Sequence, residues 1–118
     1  MIGRAHRFHG YGSLKWVYRD GQSLRGPLLS LRFAPRSPGR PYRVAVVVSR
    51  KVSKSAVVRG RIRRRIYEIV RQADTVPPDT DLIFTAFSDQ IAELEATKLQ
   101  TIVKDLLQKA ASAPQKPA

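Results

Sequence analysis

Nine cations stand between Ser49 and Gln72: Arg50, Lys51, Lys54, Arg59, Arg61, Arg63, Arg64, Arg65 and Arg71 face a single acid, Glu68. Seven of the nine are arginines. A planar guanidinium can hold two phosphate oxygens at once or stack on a base, and an ammonium does neither. The chemistry this spacing offers is capture of a polyanion. Groups for breaking bonds are scarce. Asp79 and Asp81 flank a turn and Glu93 and Glu95 open a helix, so both acid pairs have structural uses. The chain holds no Gly-rich phosphate loop, no HExxH motif and no Ser–His–Asp logic. A two-metal nuclease needs several clustered carboxylates, and the basic stretch has only Glu68. His6 and His9 are spaced like metal ligands but lack a third ligand nearby. No catalytic residue and no metal ligand is expected in the chain itself.

A helix must carry these cations. Val58, Ile62, Ile66, Ile69 and Ala73 recur at spacings of four, four, three and four, one apolar stripe along one helix face. The other faces are left to the arginines. Like charges at i,i+4, such as Arg59 with Arg63 and Arg61 with Arg65, each destabilise an isolated helix by ~0.2–0.5 kcal/mol. A fold does not require that crowding, so it points to a polyanionic partner; the plainer alternative is a solvated arginine-rich face. Composition agrees with a partner. The 118 residues carry a formal net charge of +13, with 42% hydrophobic residues and no cysteine. A basic domain with clustered arginine is an electrostatic footprint of nucleic-acid binding. Disulfides and Cys-based zinc sites are excluded, which fits a reducing cytoplasm. No apolar run approaches the ~18 residues of a membrane span, and Met1–Gly12 lacks the apolar region of a signal peptide. Neither a membrane nor a small-molecule substrate is expected.

The rest of the chain positions that helix. Met1–Gly12 reads as a basic arm docked on the body. Ser13–Asp20 reads as a short helix capped by Ser13 and closed by Gly21, with Leu14, Val17 and Tyr18 on one face. Gly26-Pro27 is a turn signal. Leu29, Leu31 and Phe33 alternate with Ser30 and Arg32, predicting a half-buried strand over Leu28–Phe33. Residues 34–41 form a Pro-rich loop. Tyr42–Ser49 is β-branched and nearly continuous, which predicts a central strand in a hairpin with the previous one. Val76-Pro77-Pro78-Asp79 breaks the basic helix. Asp81–Phe87 is a buried strand, and Ser88 caps a last helix with an apolar face from Ile91 to Leu107. The order α-β-β-α-β-α predicts an α+β two-layer sandwich with a small mixed sheet. One domain spans residues 1–109, and residues 110–118 form a disordered Ala/Pro/Ser/Lys tail.

The stretch SRKVSKSAVVRGRIRRRIYE resembles the signature of the protein component of bacterial ribonuclease P. Ser49, Arg50, Lys51, Val52, Ala56, Val57, Arg59, Arg61, Arg63 and Arg64 take the family's places. LKWVYRDG (Leu14–Gly21), RVAVVVS (Arg43–Ser49) and DLIFTA (Asp81–Ala86) match flanking segments in the family's order. Two positions depart from the pattern. Gly60 replaces an Asn between two arginines, at a helix-propensity cost of ~0.8–1 kcal/mol relative to Ala. It is either drift at a tolerant position or a gap that lets a phosphate backbone come closer. Leu14 replaces the first aromatic of the N-terminal segment.

The resemblance implies a sandwich like the second domain of ribosomal protein S5, with a left-handed βαβ crossover, although most parallel crossovers are right-handed. It implies a non-catalytic protein subunit of an endoribonuclease. Its partners would be the catalytic ribonuclease P RNA and precursor tRNA. The holoenzyme removes the 5′ leader of the precursor, and the RNA performs the hydrolysis with bound Mg²⁺. Arg50, Lys51, Lys54, Arg59, Gly60, Arg61, Arg63 and Arg64 would bind the RNA subunit by charge neutralisation and bidentate phosphate capture. Leu14, Tyr18, Ser30, Arg32 and Val46 would line a cleft for the single-stranded leader. For Leu14, Tyr18 and Val46 the alternative is core packing, and for Ser30 and Arg32 a solvated strand face. The competing function is a structural, ribosomal-type RNA-binding protein. A helix read by a DNA major groove is weaker, because few Asn or Gln are present to read bases.

Overall fold

Period-two patterning in the strands sorts one sheet into two unlike faces. The computed structural model describes residues 6, 15, 17–19, 21–36, 39, 41–73, 76–77 and 79–112. Strands β1 (Gln22–Arg25), β2 (Leu29–Pro35), β3 (Arg43–Val47) and β4 (Thr80–Ala86) lie in the order β1-β2-β4-β3. β1 pairs antiparallel with β2, β2 antiparallel with β4, and β3 parallel with β4. Leu29, Leu31 and Phe33 on β2, Val44 and Val46 on β3, and Leu82, Phe84 and Ala86 on β4 point into one core. Helix α1 (Ala56–Gln72), a 3-10 turn (Asp89–Ala92) and helix α2 (Ala96–Ser112) cover that face. Ile62 and Ile66 of α1 and Leu99, Val103 and Leu107 of α2 are fully buried there, each such side chain contributing roughly 1.5–3 kcal/mol. The stripe predicted for the basic helix is therefore its inner face.

The described residues cover only part of the opposite face. Lys15, Val17, Tyr18 and Arg19 are helical, and Val17 packs on Ala34 and Ile83, beside Ala45 and Val47. Gly21 closes this segment with an N–H bond to Val17 O at 2.8 Å. A Cβ there would lie 2.3 Å from Val17 O and 2.9 Å from Phe33 O, so only glycine lets the segment sit this close to β2. At the arm, His6 stacks on Tyr42 with ring centroids 3.9 Å apart and donates from Nδ1 to Tyr42 O.

The α+β sandwich and its mixed sheet match the expected class, with four differences of detail. Tyr42–Ser49 is not the central strand, and it forms no hairpin with the strand before it: β3 is an edge strand whose neighbour is β4. Its apolar run reflects burial on both faces, under α1 on one side and near Val17 on the other. β1 is a four-residue edge strand that the sequence barely signals, and it supplies the hairpin partner of β2. Ser88 caps the 3-10 turn, and α2 begins only at Ala96. Arg65 on α1 takes the carbonyls of Ile91 and Leu94; the acceptors a continuous helix would use there go to the guanidinium instead. Finally, α2 continues through Ala110, Ala111 and Ser112, with Ala110 buried, so those residues are not tail. Among the described residues no helix is long and apolar enough to cross a membrane.

Candidate nucleic-acid interface

The cations cluster on the turn before α1 and on the exposed faces of α1. Two backbone bonds shape the turn, from the N–H groups of Val52 and Ser53 to Ser49 O at 3.1 and 3.4 Å. Val52 packs against the core and leaves Arg50, Lys51 and Lys54 in solvent. Ser55 then caps α1, its Oγ accepting from Val58 N–H at 3.2 Å. The first turn of α1 carries no acid, although the positive end of a helix dipole ordinarily favours one.

Along α1 the arginines divide into two groups. Arg59, Arg61, Arg65 and Arg71 have partners inside the protein. Arg59 Nη1 donates to Ser53 O at 2.9 Å, tying the helix to its turn. Arg61 Nη1 meets Glu93 Oε1 at 2.9 Å, with both side chains at least half exposed. Such a pair contributes ~0–1 kcal/mol and yields readily to a phosphate. Arg65 anchors the 3-10 turn. Arg71 donates to Glu68, whose carboxyl its hydrogen bonds hold well below the usual range, at about 2. These partners also relieve the crowding: in both Arg59/Arg63 and Arg61/Arg65 at least one guanidinium is drawn onto another group. The second group is open. Among the described residues Arg50, Lys51, Lys54, Arg63 and Arg64 form no ion pair.

Gly60 lies beneath that open group. A Cβ at this position would meet Arg64 Nη1 at 3.3 Å and Arg63 Nη2 at 3.9 Å, its nearest neighbours outside the local helix backbone. Both neighbours are ends of flexible side chains. Val57, 68% exposed, is an apolar contact on the same surface that the charge pattern did not single out.

The open sheet face is the second candidate surface, and it gathers only part of the expected cleft. Arg32 pairs with Ile83 and Ser30 with Thr85 across β2 and β4, while Ala45 and Val47 face the same way on β3. Tyr18 is 45% exposed beside them. The Arg32 guanidinium sits 5.8 Å from the Tyr18 ring centroid and donates to the carbonyls of Val17 and Tyr18. Arg32 thus holds the helical segment against the sheet. Val46 does not belong to this cleft. It pairs with Phe84, is buried under α1, and donates its N–H to Tyr67 Oη at 3.2 Å. Alternation puts Val46 on the far face, and its neighbours Ala45 and Val47 stand where it was expected. Leu14 lies outside the described residues.

The buried acid braces the sheet. Asp81 is 1% exposed and accepts two bonds from Arg43, both at 2.8 Å, with Arg36 Nε at 3.5 Å. Among the described residues no group of three His, Asp or Glu side chains could hold a metal ion.

Fold and surface together define a small basic α+β protein with one cation-rich surface turned outward and one sheet face partly uncovered. The family model for ribonuclease P matches residues 2–111. The ribonuclease P protein component of Roseiflexus castenholzii is 37% identical over 108 residues, covering 91% of this chain and 87% of that protein. Its counterpart from a Synechococcus strain is 35% identical over 114 residues, covering 93% and 85%. Among solved structures, the RNase P protein of Staphylococcus aureus superposes with a TM-score of 0.77 at 20% identity, covering 91% of this chain and 96% of that one. The Thermotoga maritima RNase P protein gives 0.76 at 21% identity, covering 87% and 96%. At that identity the likeness speaks for the fold. The chain belongs to the ribonuclease P protein family.

Proposed function

We propose that this chain is the protein subunit of a ribonuclease P particle, binding the catalytic RNA through the basic turn and α1 and the 5′ leader of precursor tRNA through the open sheet face. Membership of the family ties it to tRNA processing as part of an endoribonuclease complex. The observation that carries the finer reading is the group of five cations, Arg50, Lys51, Lys54, Arg63 and Arg64, that no acid among the described residues neutralises. In a chain of net charge +13, these five cations, unpaired with any acid among the described residues, suit the phosphates of a nucleic acid. Arg59 and Arg61 join the surface once RNA displaces Ser53 O and Glu93. Hydrolysis belongs to the RNA and the Mg²⁺ it binds, and the protein adds affinity and screens phosphate repulsion.

Reconstitution tests this. Added to a bacterial ribonuclease P RNA, the chain raises cleavage of precursor tRNA at low Mg²⁺, while the protein alone leaves the precursor intact. Sustained cleavage by RNA-free protein, or no gain on adding it to the RNA, refutes the proposal.

A further inference from the structure

The open face of the sheet carries two arginine–aromatic pairs. At one end Arg32 lies over Tyr18. At the other, the guanidinium carbon of Arg25 sits 4.7 Å from the centroid of the Phe87 ring. The register fixes the side from which both project. Arg25 pairs with Ser30, and Ser30 with Thr85. Phe87 continues the ladder past β4, its N–H bonded to Leu28 O at 2.8 Å. Arg25, Ser30, Thr85 and Phe87 therefore share the face of Arg32, with Phe87 four residues, or about 13 Å, beyond Ile83.

Two features of this pair need a reason. Phe87 is 43% exposed in a protein whose other phenylalanines on the sheet, Phe33 and Phe84, are buried. Core packing does not account for it. Arg25 is also the one strand arginine on this face that keeps its donors. Arg43 is bound to Asp81, and Arg32 to the carbonyls of Val17 and Tyr18. Among the described residues Arg25 makes no hydrogen bond and no ion pair, only the contact with the ring. A guanidinium lying on a ring has its plane fixed while its N–H edge stays free for phosphate. An exposed ring is a platform on which any base can stack.

We propose that Arg25 and Phe87 form a further subsite for single-stranded RNA, Phe87 stacking one base and Arg25 holding the adjoining phosphate. The subsite lengthens the leader track across the sheet and rests on the assignment of that face to the leader. It acts only on precursors whose leader reaches it.

The test uses holoenzyme reconstituted with a ribonuclease P RNA. Its ligands are leaderless tRNA and precursor tRNAs with leaders of stepped length. Wild-type affinity rises with leader length. Phe87→Ala and Arg25→Ala each lower affinity about fivefold or more once the leader reaches the subsite, the low end of what a stacked base contributes. Both leave leaderless tRNA binding unchanged. Phe87→Leu, which keeps an apolar side chain without the ring, loses as much as Phe87→Ala, and Phe87→Tyr retains affinity. Equal losses with leaderless tRNA, or no loss at any length while the wild type still favours long leaders, overturn the subsite alone. A wild-type holoenzyme indifferent to the leader overturns the assignment of the whole face and the subsite with it.

Discussion

Outside the local helix backbone, the nearest neighbours of a Cβ at Gly60 are two guanidinium ends, so its place in the helix can be tested directly. Arg64, the nearer neighbour, is exposed and forms no ion pair among the described residues, so its side chain can swing aside for a Cβ. Gly60→Ala then recovers helix propensity and stabilises the protein by up to ~1 kcal/mol in urea unfolding. RNA-subunit affinity measured on the same variant decides between the two uses of the gap: unchanged binding marks drift, and weaker binding marks close approach of the phosphate backbone. Glu68 gives a second residue-scale test. Its folded pKa, near 2, lies below the ordinary value of 4.5. Its contribution to stability is therefore present above pH 4.5 and lost as pH falls toward 2. Glu68→Gln flattens that part of the stability–pH curve, and a wild-type and variant difference that stays constant across the window contradicts the pairing with Arg71. At this scale facing was legible where the period is clean, as in Ile62, Ile66 and Arg32, and not where it is not. The cations of the turn and α1 stand on the surface, as their types predict. Val46 fell on the wrong face because YRVAVVVS barely alternates, and a one-residue choice reverses every side chain in a strand.

Between elements, the arginines of α1 do two different jobs. Arg65 staples the 3-10 turn to α1 through two carbonyls, and Arg64, one residue earlier, faces solvent. Arg65→Ala leaves two acceptors unpaired and costs roughly 1.5–3 kcal/mol of stability. Arg64→Ala changes stability by no more than about 0.5 kcal/mol yet weakens RNA binding. Thermal unfolding and RNA affinity on the two variants separate the roles, and similar profiles for both would contradict the division. Nothing in the local sequence distinguishes Arg63, Arg64 and Arg65; only the docking of Ile91 and Leu94 does. The same contact explains why one long final helix was expected where a 3-10 turn and α2 stand. α1, β2 and β4 were legible because each has a clean period or a firm stop, such as Pro77-Pro78 before β4. The β2–β4 and β3–β4 pairings were not, because they join residues far apart in sequence, and β1 is too short to show alternation.

Over the whole molecule, charge is partitioned. The buried acid, Asp81, binds two arginines that brace the sheet, and Glu68 and Glu93 each hold one arginine of α1. What remains is a cationic surface on the turn and helix, and, on the other face of the sheet, aromatic and guanidinium groups. Whether the cationic surface is an RNA site is tested most directly by the salt dependence of RNA-subunit binding. The five unpaired cations alone, each neutralising one phosphate, give a slope of log K against log salt of about −3.5 to −4.5, at roughly 0.7 to 0.9 per phosphate, and Arg59 and Arg61 steepen it further. Replacing Arg63 and Arg64 together by Ala makes the slope shallower by about 1.4 to 1.8, and Arg65→Ala leaves it unchanged. A flat titration, or a slope indifferent to Arg63 and Arg64, would contradict the account.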